Sequence, residues 1–101
     1  VICGDDSIAL PLMAEGAAGT ISVIANALPD FFRRVVDDLD TAAEERLRRI
    51  VSLTMADGNP SGIKAILNAM GLCKNVLRLP LVPVCADVER AVEEEINAIC
   101  G

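Results

Sequence analysis

Thr20-Ile21-Ser22-Val23-Ile24-Ala25 is the stretch on which the fold turns. It is an almost unbroken apolar run rich in β-branched residues. An uninterrupted run, rather than alternation, marks a strand covered on both faces, as in a parallel sheet. Upstream, Val1-Ile2-Cys3 predicts a second short buried strand that ends at Gly4. Between them, Asp5-Asp6-Ser7 offers three N-cap side chains, and a helix is expected from Ser7 to Glu15, with Pro11 tolerable only near its start. Gly16-Ala17-Ala18-Gly19 reads as a turn. Two strands enclosing a helix make one βαβ unit, expected to be right-handed.

Downstream the period changes from strand to helix. Leu28, Phe31, Phe32, Val35, Val36 and Leu39 form the stripe of an amphipathic helix with Pro29 in its first turn. Thr41-Ala42-Ala43-Glu44 is a capping box opening a helix with Leu47, Ile50, Val51, Thr54 and Met55 on one face. Asp57-Gly58-Asn59-Pro60 breaks the chain. The next helix turns Ile63, Ile66, Leu67 and Met70 inward and stops at Gly71, with Leu72 placed for the hydrophobic contact that follows such a stop. Two prolines bar Leu77–Val84 (LRLPLVPV) from a central strand, so it is expected to be an extended connector packed on the body. Asp87 is expected to cap a last helix running to about Ile99, with Val88, Val92, Ile96 and Ile99 inward.

Composition narrows the function classes. The 101 residues suffice for one domain, 52% are hydrophobic and only 2% aromatic, so any core is aliphatic. A net charge of −6 gives no electrostatic reason to bind nucleic acid or an anionic membrane. Arg33-Arg34, Arg46, Arg48 and Arg49 share helical segments with acids and read as solvated faces. Cys3, Cys73, Cys85 and Cys100 form no C-x-x-C pair and there is no His, which disfavours zinc. They are expected to be free thiols of a cytoplasmic protein, Cys3 and Cys73 in packing roles. No apolar run reaches membrane-spanning length.

A two-stranded parallel sheet lacks neighbours at its edges. A strand covered on both faces needs partners that these residues do not contain. Closure of a (β/α)8 barrel supplies them, since its eighth strand pairs with its first. The opening directly on an apolar strand, with no initiator Met, fits a fragment. The expected fold class is therefore α/β, the C-terminal part of a (β/α)8 TIM barrel. Residues 1–40 are the last two β/α units and residues 41–101 a three-helix C-terminal extension.

Four segments, V-I-C-G-D-D, G-T-I-S-V-I-A-N, N-P-S-G-I-K and L-R-L-P-L-V-P, together resemble the dihydrodipicolinate synthase family. They occur in the family's order and span residues 1 to 83. The resemblance implies a lyase of lysine (diaminopimelate) biosynthesis that condenses pyruvate with aspartate 4-semialdehyde through a lysine Schiff base. A tyrosine relays protons, and neither cofactor nor metal takes part. It implies a homo-oligomer, a tetramer built from dimers, whose remaining barrel completes this chain. The lysine and tyrosine belong to earlier strands. Here the only lysines are Lys64 and Lys74, and there is no tyrosine, so the chain alone is expected to be inactive. Sibling aldolases, such as N-acetylneuraminate lyase or a keto-deoxy-sugar aldolase, share the barrel and the lysine chemistry. A non-catalytic helical binding module is the reading from another class.

The resemblance also carries some site positions over. Gly4 would line the pocket beside the Schiff base, where a side chain leaves no room. The backbone carbonyl of Ile21 would face the substrate. Asp5, with Asp6 beside it, and Asn59 would lie near the second substrate. The residues by themselves offer plainer roles: Asp5 and Asp6 as helix caps, Gly4 as a strand end, Asn59-Pro60 as a cap and first-turn proline, Lys64 as a surface lysine. Two departures from the family stand out. Its N-P-I-P-V-K is here N-P-S-G-I-K, where Gly62 is expected to loosen a turn, and the region between Leu39 and Asn59 is shorter.

Overall fold

A computed structural model describes residues 1–38 and 41–100. The element order is β1 (Ile2–Cys3), a 3-10 turn (Asp6–Ile8), α1 (Ala9–Ala14), β2 (Gly19–Thr20), a second 3-10 turn (Ile24–Asn26), α2 (Pro29–Asp38), α3 (Thr41–Ala56), α4 (Ser61–Ala69) and α5 (Ala86–Cys100). Leu39, Asp40 and the side chain of Thr41 lie outside the described residues, and with them the expected capping box. Contacts divide the chain into two compact units, Val1–Val51 and the residues from Ser52 onward, a division that falls within α3.

In the first unit β1 and β2 pair in parallel, with Ile2 opposite Gly19 and Cys3 opposite Thr20. The Ala18 amide donates to the Val1 carbonyl, and the Ile21 amide donates to the Cys3 carbonyl, each at 2.8 Å. The βαβ unit is therefore present, but the second strand is far shorter than its hydropathy predicts. Only Gly19 and Thr20 are paired as strand, and Ile24–Asn26 is a 3-10 turn. The physical cause is local competition for amides. The Asp6 carboxylate takes those of Val23 and Ile24, and the Ser22 hydroxyl oxygen takes that of Ala25, so these groups are withdrawn from any ladder.

The first helix ends with a glycine in the left-handed region, Gly16 at φ 100°. The Gly16 amide reaches the Met13 carbonyl and the Ala17 amide reaches that of Leu12, the paired bonds of a Schellman ending. Further on, α2 buries Phe31, Phe32 and Val35 as its spacing predicts, while Val36 is half-buried. In α3, Leu47, Ile50 and Val51 are buried.

The second unit is helical. Thr54 is buried, whereas Met55 is 57% exposed, contrary to its expected inward position. Met55 is the last residue but one of α3, where the helix face runs out. On α4, Ile63, Ala65 and Ile66 are buried, with Leu67 and Met70 half-buried. Gly71 (φ 77°) ends α4 as predicted: its amide donates to Asn68 and that of Leu72 to Leu67. Leu72 itself is 64% exposed, so the expected hydrophobic contact is missing. On α5, which packs on α4, Val92 and Ile96 are buried. That helix begins at Ala86, so Asp87 is a first-turn residue with a solvated side chain rather than its cap.

Leu77–Val84 is irregular and extended, as its prolines require, but it is not packed down as expected. Leu79 and Val82 are exposed and only Val84 is buried. Two polar ties hold it: the Ser61 hydroxyl donates to the Val82 carbonyl at 2.7 Å, and the Cys85 amide donates to Asp57 Oδ2 at 2.8 Å. Gly62 does not loosen a turn. It is buried within α4, and its missing Cβ lets the Thr54 backbone approach. The arginines lie on solvated helix faces, with exposed i,i+4 pairs Arg33–Asp37 and Arg49–Glu45 and the partly covered Arg48–Glu44. Each such pair is worth about 0.3–0.5 kcal/mol.

Candidate functional site

The C-terminal ends of the two parallel strands bring three of the four expected site residues together. Gly4 directly follows β1. Asp5 comes next, and Ile21 directly follows β2, tied by its amide to the Cys3 carbonyl. Function in parallel α/β folds gathers at this end of a sheet, where strand termini splay and loops begin. A Cβ at Gly4 would meet no atom of this chain within 4 Å. The crowding expected there is not supplied by the described residues. Ile21 turns its side chain outward, 75% exposed. Asn59 belongs to the other compact unit, exposed in the turn between α3 and α4. It does not cap α4: the cap position is Pro60, and no side chain fills it.

Asp5 and Asp6 have opposite surroundings, as adjacent residues on an irregular segment do. Asp5 is exposed and caps the first 3-10 turn: its Oδ1 accepts from the Ser7 hydroxyl at 2.6 Å and the Ser7 amide at 2.9 Å. The hydroxyl first, and the amide second, hold the Asp5 carboxyl below the usual aspartate value, against a smaller opposing effect of desolvation. A lowered folded-state value means the charged form is favoured in the fold. The stabilisation is present above the unfolded value and fades as pH falls through the lowered one. Ser7→Ala is expected to move the Asp5 midpoint upward, read from its carboxyl carbon in an NMR titration. An unchanged midpoint would show that the amide alone sets it. Behind Asp5, the Cys3 thiol is buried, donating to the Asp5 carbonyl at 3.1 Å while it accepts from the Asp5 amide at 3.4 Å.

Asp6 is buried, at 8% exposure. Its Oδ2 accepts from the Val23 and Ile24 amides, both at 3.0 Å. This bridge links the loop after β1 to the loop after β2. Its capping role was expected, but for its own helix. The true recipients lie 17 and 18 residues on, and no local spacing signals that. Ser61 and Asp57, the ties of the connector, were likewise invisible to motif reasoning.

Among the described residues no group of three or more His, Cys, Asp or Glu is arranged to hold a metal ion, and no helix is long and apolar enough to cross a membrane. The four cysteines are free, Cys3 buried and Cys73 half-buried, with Cys85 and Cys100 exposed. Lys64 borders an open hollow of about 440 Å³ with Pro60, Val76, Leu77, Arg78 and Leu81. That setting is half-exposed, unlike the dry enclosure an amine nucleophile needs.

Comparison with known proteins gives the chain a family. The family model of the dihydrodipicolinate synthetase family matches residues 1–99. The 4-hydroxy-tetrahydrodipicolinate synthase of Phocaeicola vulgatus is 44% identical over 99% of this chain and 37% of its own length. That of Parabacteroides distasonis is 50% identical over 82% of this chain and 30% of its own. Among solved structures, a dihydrodipicolinate synthase superposes with a TM-score of 0.89 at 28% identity, covering 99% of this chain and 37% of that one. The dihydrodipicolinate synthase of Thermotoga maritima gives 0.87 at 27%, covering 94% and 35%. The chain belongs to the dihydrodipicolinate synthetase family. Its α/β architecture is the C-terminal part of a (β/α)8 barrel, two parallel strands with their helices followed by further helices. The chain spans little more than a third of the length of the relatives it matches.

Proposed function

We propose that the chain is the C-terminal portion of a lyase that condenses pyruvate with aspartate 4-semialdehyde through a lysine Schiff base, the activity of a 4-hydroxy-tetrahydrodipicolinate synthase. The observation that carries this is the family match over residues 1–99, together with a parallel ladder whose C-terminal ends hold Gly4, Asp5 and Ile21 side by side. Residues 1–40 supply the last two β/α units and residues 41–101 the helical extension. Gly4 leaves room beside the Schiff base, and the Ile21 carbonyl faces the bound substrate. Asp5 and Asn59 border the region of the second substrate. The lysine and tyrosine of the reaction are contributed by the remainder of the barrel, and no metal or cofactor is required. The complete enzyme is a cytoplasmic homo-oligomer, a tetramer built from two dimers. One structural relative is itself described as a monomeric variant, so sedimentation of the complete protein tests the assembly separately.

The deciding experiment uses the complete protein that contains these residues. Incubation with pyruvate and borohydride is expected to leave a mass adduct on a lysine outside residues 1–101, and aspartate 4-semialdehyde is expected to be consumed with pyruvate. An adduct without that consumption, but with turnover of N-acetylneuraminate or a keto-deoxy sugar, would transfer the chain to a sibling aldolase. No adduct at all would overturn the Schiff-base reading. The 101-residue chain by itself is expected to give neither signal.

A further inference from the structure

The buried carboxylate of Asp6 has no part in the scheme above. It is nine-tenths or more buried, and its Oδ2 binds only the amides of Val23 and Ile24. Those amides lie two and three residues beyond Ile21. The other oxygen, Oδ1, is also buried and meets no donor among the described residues. Main-chain amides are fixed donors, so the two bonds at Oδ2 hold position. A short 3-10 turn does not need so costly a cap either, because Ser22 already serves its Ala25 amide from within the loop. A carboxylate stripped of water is an expensive acceptor, and its bonds to neutral donors are roughly twice as strong as those of a neutral oxygen. The arrangement makes sense if the position of the loop after β2 must be held firmly against the end of β1.

We propose that Asp6 is a positioning residue, which fixes the backbone from Ile21 to Ile24 so that the Ile21 carbonyl is presented to the substrate. The role rests on the Schiff-base reading for its consequence, but not for its geometry. Asp6 acts through two main-chain amides. Acceptor geometry rather than net charge is what matters, and this separates it from a carboxylate that touches substrate.

The test compares Asp6→Ala with Asp6→Asn in the complete enzyme. Loss of the acceptor in Asp6→Ala is expected to speed amide exchange at Val23 and Ile24 by about tenfold or more. It is also expected to lower kcat by about a hundredfold, with KM for pyruvate changed much less, as misplacement by about an ångström does. The amide oxygen of Asp6→Asn can accept both N–H groups, so this variant is expected to recover most of the exchange protection and to lie within about tenfold of the unaltered kcat. Unchanged exchange at both amides in Asp6→Ala would overturn the proposal. So would an Asp6→Asn enzyme that keeps protection yet is as slow as Asp6→Ala, because the charge would then act on the substrate directly. If the unaltered enzyme shows no synthase turnover, the functional reading fails by itself, and the exchange comparison still decides the clamp.

Discussion

Gly62→Ala is expected to destabilise the second unit by about 3 kcal/mol, the upper part of the usual range for overpacking. A Cβ at Gly62 would lie 2.5 Å from the Thr54 carbonyl carbon and 2.6 Å from its Cα, and closer still to the carbonyl oxygen. These are main-chain atoms near the end of α3. They cannot rotate aside as a flexible side chain would, so relief requires α3 and α4 to separate. Proline is the residue the resembled pattern carries at this position. It brings the same Cβ and also removes the Gly62 amide that donates to the Gly58 carbonyl at 3.0 Å, so Gly62→Pro is expected to be no better tolerated. Urea unfolding gives the measurement: the midpoint falls while the slope stays constant. A loss below about 1 kcal/mol would show that the two helices slide apart at little cost.

Ile66→Ala is expected to cost about 3–4 kcal/mol, within the range for deleting buried isoleucine side chains. Ile66 is fully buried, and α4 packs on α5, whose Val92 and Ile96 are 0% and 4% exposed. With no aromatic residue in this half of the sequence, aliphatic contacts carry the packing, and there is no large neighbouring ring to fill a void. Ile66→Val is expected to cost only about 1 kcal/mol, since a single methylene is lost. Thermal unfolding distinguishes the two. Equal shifts for both variants would mean that the site relaxes around the deletion and that the α4–α5 contact is loose.

How much of this was legible in the sequence depends on the range of the interaction. The stripe of Phe31, Phe32 and Val35 buried as spaced, because helical periodicity is a local property that the core merely selects. Gly71 stopped α4 because a left-handed residue there is a matter of two bonds within one turn. Leu72 and Met55 failed because position on a face at a helix end does not guarantee a neighbour. The apolar run from Thr20 to Ala25 misled in a different way. Its hydropathy predicts a strand from Thr20 to Ala25, yet pairing stops at Thr20 and the conformation from Val23 onward is governed by an acceptor on Asp6, far back in the sequence. Hydropathy contains no record of such a bond.

The candidate site divides along the same line. Asp5 as a cap was legible because its donor, Ser7, lies two residues away. That Gly4 and Ile21 lie at the same end of the sheet was legible because a βαβ unit places both strand ends on one side of it. Which of two adjacent aspartates would be solvated and which buried was not legible, since that depends on the path of the loop after β2. The roles toward substrates came from resemblance alone, and the residues by themselves gave only caps and strand ends.

The brevity of the paired strands also bears on the behaviour of the chain in crowded solution. Until the remainder of a barrel pairs with it, a parallel ladder with Val1, Ile2 and Ile21 exposed presents the kind of edge on which other chains add. Amyloid-like stacking, however, requires runs of about six or seven extended residues, and here only two residues per strand keep that conformation. Gly4 and the charged Asp5 end one strand at once, and the Asp6 bridge takes the Val23 and Ile24 amides that would prolong the other. The same bonds that shape the loop after β2 thus keep the Val23 and Ile24 amides from pairing with another chain.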